Sequence, residues 1–327
     1  MDEPPPLPPA APPARGVPEF RARGAGELIE AGMRLYFARW RIFVPVAAVF
    51  MVPYAALSAI ASAVTVSELG DSAFLTNPNA IPTPEDLVAF FGPLMLIGLL
   101  FLLVYPVMVG ALSWAAARTY LGEVPTPGQV LRFAISRFGA LLWVTVLPFL
   151  AVLLIALVLF PVAFLVDNGF VAFMLAVVFG IAAFVVFVGF LFSSIVVVVE
   201  DIRGTKALGR SWSLVKGFFW KVVGTTLLAA IISFIVEAVF SMPLTFISQS
   251  LLAGEAVLIG SLLAFIGAAI SGTLVTPFSA IVQVLLYFDL RIRKEGMDLS
   301  LMAQQLGGGG LEAVPPSAEG SGLDATP

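Results

Sequence analysis

Neither cysteine nor histidine occurs among the 327 residues. The first absence excludes disulfides, thiolate metal sites and thiol nucleophiles. The second removes the commonest metal ligand and the commonest general base. Charge is scarce as well, at 12% of residues, roughly half of the ~25% usual in soluble domains. A net charge of −4 points to no class of partner. Phosphate-binding loops, dinucleotide fingerprints, paired catalytic carboxylates and serine triads are all missing. The run GTKALGRS (204–211) has glycines and a lysine but not the spacing that cradles a phosphate. No catalytic, cofactor-binding or metal-ligating set emerges, so no cofactor is expected.

Apolar sequence fills the space that charge leaves. Hydrophobic residues make up 60% of the chain and mean hydropathy is +1.03. Six long apolar runs cover roughly 40–64, 87–118, 140–166, 170–199, 218–242 and 256–290. Each exceeds the ~20 residues a helix needs to cross a ~30 Å hydrocarbon core. The expected fold is an all-α integral membrane protein with six transmembrane helices. Helix 4 is expected unbroken over 170–199, and 243–255 is expected to be a short outer connection. The most breakable point lies in helix 6, at Ser271–Pro277. Flanking the six-helix domain at 25–300 are two expected cytoplasmic tails. One is a disordered Pro/Ala-rich stretch over 1–24, with no apolar core of the kind a signal peptide requires. The other is a flexible Gly-rich stretch over 301–327.

Three amphipathic segments precede helices 1, 3 and 5. Ile29, Met33, Tyr36 and Trp40 share one helical face, as do Leu131, Ile135, Phe138 and Leu142, and again Leu208, Trp212, Val215 and Phe219. The order of interfacial segment and helical hairpin thus recurs three times, the pattern of a threefold repeat. The basic positions do not superpose between copies, which fits equally a general preference for basic approaches to a membrane. All 17 Lys and Arg lie before helix 1, between helices 2 and 3, around the link between helices 4 and 5, or after helix 6. The opposite loops hold none. The positive-inside rule then puts both termini in the cytoplasm, in a multi-pass protein of the cytoplasmic (inner) membrane. Arg34, Arg39, Arg132, Arg137, Lys206, Arg210 and Lys216 are the candidate contacts for anionic lipid headgroups, the partner expected here in place of nucleic acid.

Glu237 is the one acid well inside a span, with Ser233 a turn away. An intramembrane carboxylate suggests a substrate or proton site, whereas one near the outer interface needs no such role. Ser271, Thr273 and Thr276 in helix 6 either permit close helix packing or line a broken helix that meets a ligand. Together these five residues form the candidate intramembrane polar site.

Three stretches carry a family likeness. They are GELIEAGMRLYFARWRIF (26–43), KALGRSWSLVKGFFWKVVG (206–224) and LLYFDLRIRKEGMDL (285–299). Over about residues 20–300 the chain resembles the bacterial glycerophosphoryl diester phosphodiesterase membrane-domain family. That resemblance implies a six-helix membrane domain of largely unknown function. In some members it is fused to a catalytic barrel with His and acidic metal ligands. This chain has no histidine and no room for the barrel, so a non-enzymatic scaffold or accessory subunit is expected. The alternative is a transporter or lipid-handling protein with a cavity between helices 5 and 6.

Overall fold

A computed structural model describes residues 23–69, 83–166, 168–253 and 256–296. Apart from residues 23 and 24, the two expected tails lie outside the described residues. Helix is the only regular structure described. In chain order come α1 (Ala25–Leu69), α2 (Pro84–Tyr120), α3 (Pro127–Ser136), α4 (Phe138–Leu165) and α5 (Gly169–Gly189). They are followed by α6 (Ser193–Val199), α7 (Thr205–Val215), α8 (Phe219–Ala253) and α9 (Val257–Glu295). Six spans are long and apolar enough to cross a membrane, α5 and α6 together making one of them. Hydrocarbon offers the backbone no hydrogen bonds, so each span must satisfy its own amides within a helix.

Local sequence sets several helix starts. Thr83 and Thr126 each cap the helix after them, and Asp86 and Gln129 bond back to complete two capping boxes. A proline sits in the first turn of α2 and of α3, where its missing N–H costs nothing. Asn168 caps α5 with its side-chain oxygen.

Three boundaries differ from the sequence reading. Helix α8 runs through Pro243 to Ala253, so most of the expected outer connection is helical. The apolar run over 170–199 opens at Phe190–Phe192, splitting α5 from α6. Helix α9, conversely, stays unbroken through Ser271–Pro277. Pro277 takes one amide from the ladder, and nearby the Thr276 hydroxyl donates to the Gly272 carbonyl at 2.7 Å.

The three amphipathic segments are helical and lead into spans as expected. Each ends at a basic residue that leaves the helical path. The first part of α1 ends at Arg39 (φ −133°, ψ 24°). Helix α3 ends at Arg137 (φ −107°, ψ 9°) and α7 at Lys216 (φ −57°, ψ 121°).

Burial is concentrated at the end of the bundle where these segments gather. The last part of α9, from Pro277 to Ile292, is almost wholly buried, as is α2 from Pro106 to Thr119. Tyr287, Phe43 and Phe192 are the largest fully buried side chains. Helices α1 and α8 flank α9, while α4 and α5 pair with each other as a hairpin. The opposite halves of α2, α4 and α5 expose bulky apolar side chains, as suits helices surrounded by lipid rather than water.

Candidate functional site at the charged end

The Arg210-Ser211-Trp212 triplet of α7 meets the break between α5 and α6. With the helix open there, the Phe192 amide and the Gly189 carbonyl need new partners. Ser211 supplies both, accepting from the amide at 3.2 Å and donating to the carbonyl at 2.9 Å. Trp212 lies against the same glycine. A Cβ added at Gly189 would meet the indole ring at 2.3 Å, so only glycine allows this approach. Phe190 packs beside the indole, with ring centroids 6.0 Å apart.

Arg210 turns the other way. Its guanidinium grips Glu200 through two nitrogens, at 2.9 and 3.0 Å, and also pairs with Glu295. Glu200 further accepts from the buried Tyr287 hydroxyl and lies 3.6 Å from Arg291. Arg291 in turn bonds Glu295 at 2.9 Å. Two carboxylates and two guanidiniums thus neutralise one another around a tyrosine. Burial pushes the Glu200 carboxyl up, but hydrogen bonds from Arg210 and Tyr287, with the charges of Arg210 and Arg291, hold it below the usual range. The bond to Glu200, more than any other partner, raises the Arg210 guanidinium.

A second knot surrounds Asp289, whose side chain is only 2% exposed. It accepts from the Arg23 amide at 2.6 Å, from Lys221, and from Arg293 at 3.0 Å. Lys221 and Arg293 both donate to the Arg23 carbonyl as well, at 2.9 and 3.0 Å. The start of α1, the start of α8 and the end of α9 are therefore tied at one carboxylate. Lys294 donates to the carbonyls of Ser213 and Lys216, closing the end of α7. Arg137 at the head of α4 pairs with Asp201 after α6.

These contacts sort the seven candidate headgroup residues. Arg137 and Arg210 are held in internal ion pairs, and Arg34 pairs along its own helix with Glu30. Arg39, Arg132, Lys206 and Lys216 are exposed, and none of them forms an ion pair among the described residues. Beside Arg34, a hollow of about 490 Å³ is lined by Arg23, Glu27, Glu30, Tyr120 and Leu285.

The five intramembrane candidates do not converge. Ser233 meets Ser279 at 3.1 Å. Ser271 and Thr276 bond to carbonyls of their own helix, and the buried Thr273 hydroxyl has no partner among the described residues. Glu237 faces outward. The hollow in this region measures about 350 Å³, lies between α1, α8 and α9, and is apolar except for Ser233 and the Tyr36 hydroxyl.

The residues that organise the charged end are Glu200, Tyr287, Asp289 and Glu295. In the sequence the acids look like ordinary membrane-flanking charges. Their signal is placement, since Glu200 directly follows an apolar run and Asp289 and Glu295 lie inside the last stretch of the family likeness. Partners as distant as Glu200 and Tyr287, 87 positions apart, are brought together only by the fold.

Residues 127–319 match the family described as Domain of unknown function (DUF8558). The chain belongs to that family. The DUF8558 match opens at Pro127, the first residue of α3, so it takes in the second and third segment-plus-hairpin units and leaves out the first. It also includes all three organising acids and the tyrosine. No curated protein and no solved structure matches the chain.

Proposed function

We propose that this protein is a non-enzymatic scaffold or accessory subunit of the cytoplasmic membrane, anchored to anionic headgroups through its charged end. The carrying observation is that four of the candidate headgroup residues are exposed and form no ion pair among the described residues. Arg39, Arg132, Lys206 and Lys216 are spread over all three interfacial segments, with Arg39 and Lys216 at the points where the chain turns into the spans. The remaining basic residues of α7 and α9 bind the end together, so these four are available to a partner. The basic bias of this end supports a cytoplasmic location for both termini. The likeness to the glycerophosphoryl diester phosphodiesterase membrane domain supports the reading, because that domain is the non-catalytic part of its fusions.

The experiment is charge reversal of Arg39, Arg132, Lys206 and Lys216 to Glu. A juxtamembrane basic residue contributes about 1 kcal/mol of attraction to an anionic surface. The quadruple variant should lose most of its co-purifying anionic lipid in native mass spectrometry and remain folded. Undiminished anionic lipid would refute the role. A second reading, lipid handling, draws on the apolar hollow between α1, α8 and α9, whose size and lining suit an acyl chain. Phe278→Trp would fill that hollow and reduce lipid transfer, while headgroup retention stayed intact.

A further inference from the structure

Helix α8 carries a second feature that headgroup anchoring leaves unused. Glu237, Ser241, Thr245 and Gln249 recur every four residues along it. They form one polar ridge about 18 Å long at 1.5 Å per residue. Glu237, Thr245 and Gln249 are exposed, and Ser241 is half-buried. Ser241 and Thr245 touch each other at 3.4 Å. Among the described residues, none of the four side chains bonds to another helix.

The surroundings make this ridge anomalous. Phe246 on α8 is 78% exposed. The Ser248 hydroxyl donates to the Gly260 carbonyl at 2.7 Å, which sets this part of α8 level with the start of α9. There Leu258 is 83% exposed, with Ile259 and Leu262 also bare. Bulky apolar groups in the open indicate a hydrocarbon medium at this depth. In hydrocarbon a row of carboxyl, hydroxyl and amide groups lacks hydrogen-bond partners, and polar side chains on spans characteristically bond across to another helix.

We propose that the ridge is a homodimer interface, at which α8 of a second copy of this chain docks. Hydroxyls and amides each donate and accept, so the Ser241, Thr245 and Gln249 part of the ridge is complementary to itself. Two copies inserted with the same topology share a two-fold axis along the membrane normal. Each residue then meets its equivalent at equal depth, Gln249 against Gln249 and Thr245 against Thr245. Ridges of every fourth residue interlock when helices cross at about −50°. Ser241 and Thr245, small at the centre of the ridge, let the backbones approach. Glu237, unplaced by any internal site, becomes one end of this contact.

The natural absence of cysteine makes the test direct. Single variants Ser241→Cys, Thr245→Cys and Phe246→Cys, all on side chains not fully buried, are reconstituted into phospholipid vesicles and oxidised. Disulfide-linked dimers should form with the first two, where Cα atoms come within about 7 Å, and far less with Phe246→Cys. Equal cross-linking at all three positions, or none at Ser241 and Thr245, overturns the proposal. In the Thr245→Cys background, adding Glu237→Leu and Gln249→Leu should lower the cross-linked fraction about tenfold. An unchanged fraction would show that the polar ridge does not drive association. Because the vesicles contain only this chain, an interface reserved for another protein or for lipid would appear as absent cross-linking and would count against the dimer.

Discussion

Three residues, Gly189, Ser211 and Trp212, fix how α7 lies on the broken span. Gly189→Ala should force the indole off its seat and destabilise the fold by about 1–3 kcal/mol, the usual cost of overpacking. Pairing it with Trp212→Leu should recover much of that loss in detergent unfolding. If the double variant were no better than Gly189→Ala alone, the close approach would not be the cause. Glu200 makes a prediction about pH. Its folded pKa is depressed, so its contribution to stability is present above the unfolded value of about 4.3 and is lost as pH falls through the folded value. The unfolding midpoint of the natural protein should therefore drop on acidification below about pH 4.5. Glu200→Gln should be less stable near neutrality, where it leaves Arg210 and Arg291 short of a counter-charge, and should show a shallower acid response. A Glu200→Gln variant with an unaltered acid response would assign the sensitivity elsewhere.

At the scale of elements, each interfacial helix is a short amphipathic piece with its own start and stop. Helix α3 spans only Pro127–Ser136, so its cap matters more than a cap on a long span. Thr126→Ala removes the bond to the Gln129 amide and should cost about 1 kcal/mol. Thr126→Ser should restore it, with both read as unfolding midpoints. The helical period was legible because it is local, but the buried face was only partly so: Ile135 and Phe138, expected on the apolar face, are 67% and 41% exposed. Val130 and Ala134 are buried in α3, and Ala207, Leu208, Ser211, Leu214 and Val215 in α7. The exact bearing was not, since Trp212 was expected on the apolar face and proves 43% exposed over Gly189. The break at Phe190–Phe192 was equally hidden. Its apolar sequence suits an unbroken helix, and the hydroxyl that makes the opening tolerable comes from Ser211, on a different element.

At the scale of the molecule, the chain is a packed charged end from which apolar helices extend. The bonds among Arg23, Lys221, Asp289 and Arg293 place the two described ends of the chain at that same end. With no native thiol to interfere, topology is open to labelling. Gly24→Cys and Lys206→Cys should react with a membrane-impermeant thiol reagent from the same side, and Ala256→Cys from the opposite side. Labelling of all three from one side would break the six-span arrangement. In intact cells the first two should be protected until the membrane is opened, if the basic end is cytoplasmic as proposed.

The sequence by itself determined the spans, their number and the gathering of every basic loop on one side. Those properties follow from hydropathy and charge along the chain, which lipid and water read segment by segment. Only the tertiary structure decided which charges are spent internally and which remain for a partner. Arg210 and Arg132 look alike as sequence, each a basic residue on an amphipathic helix. Glu200 and Glu295 lie within reach of the first, and no described acid pairs with the second. The intramembrane candidates were scattered for the same reason. Whether Ser233, Thr276 and Glu237 face one another depends on how α8 and α9 are turned about their axes. Packing sets that rotation, and apolar sequence alone leaves it undetermined.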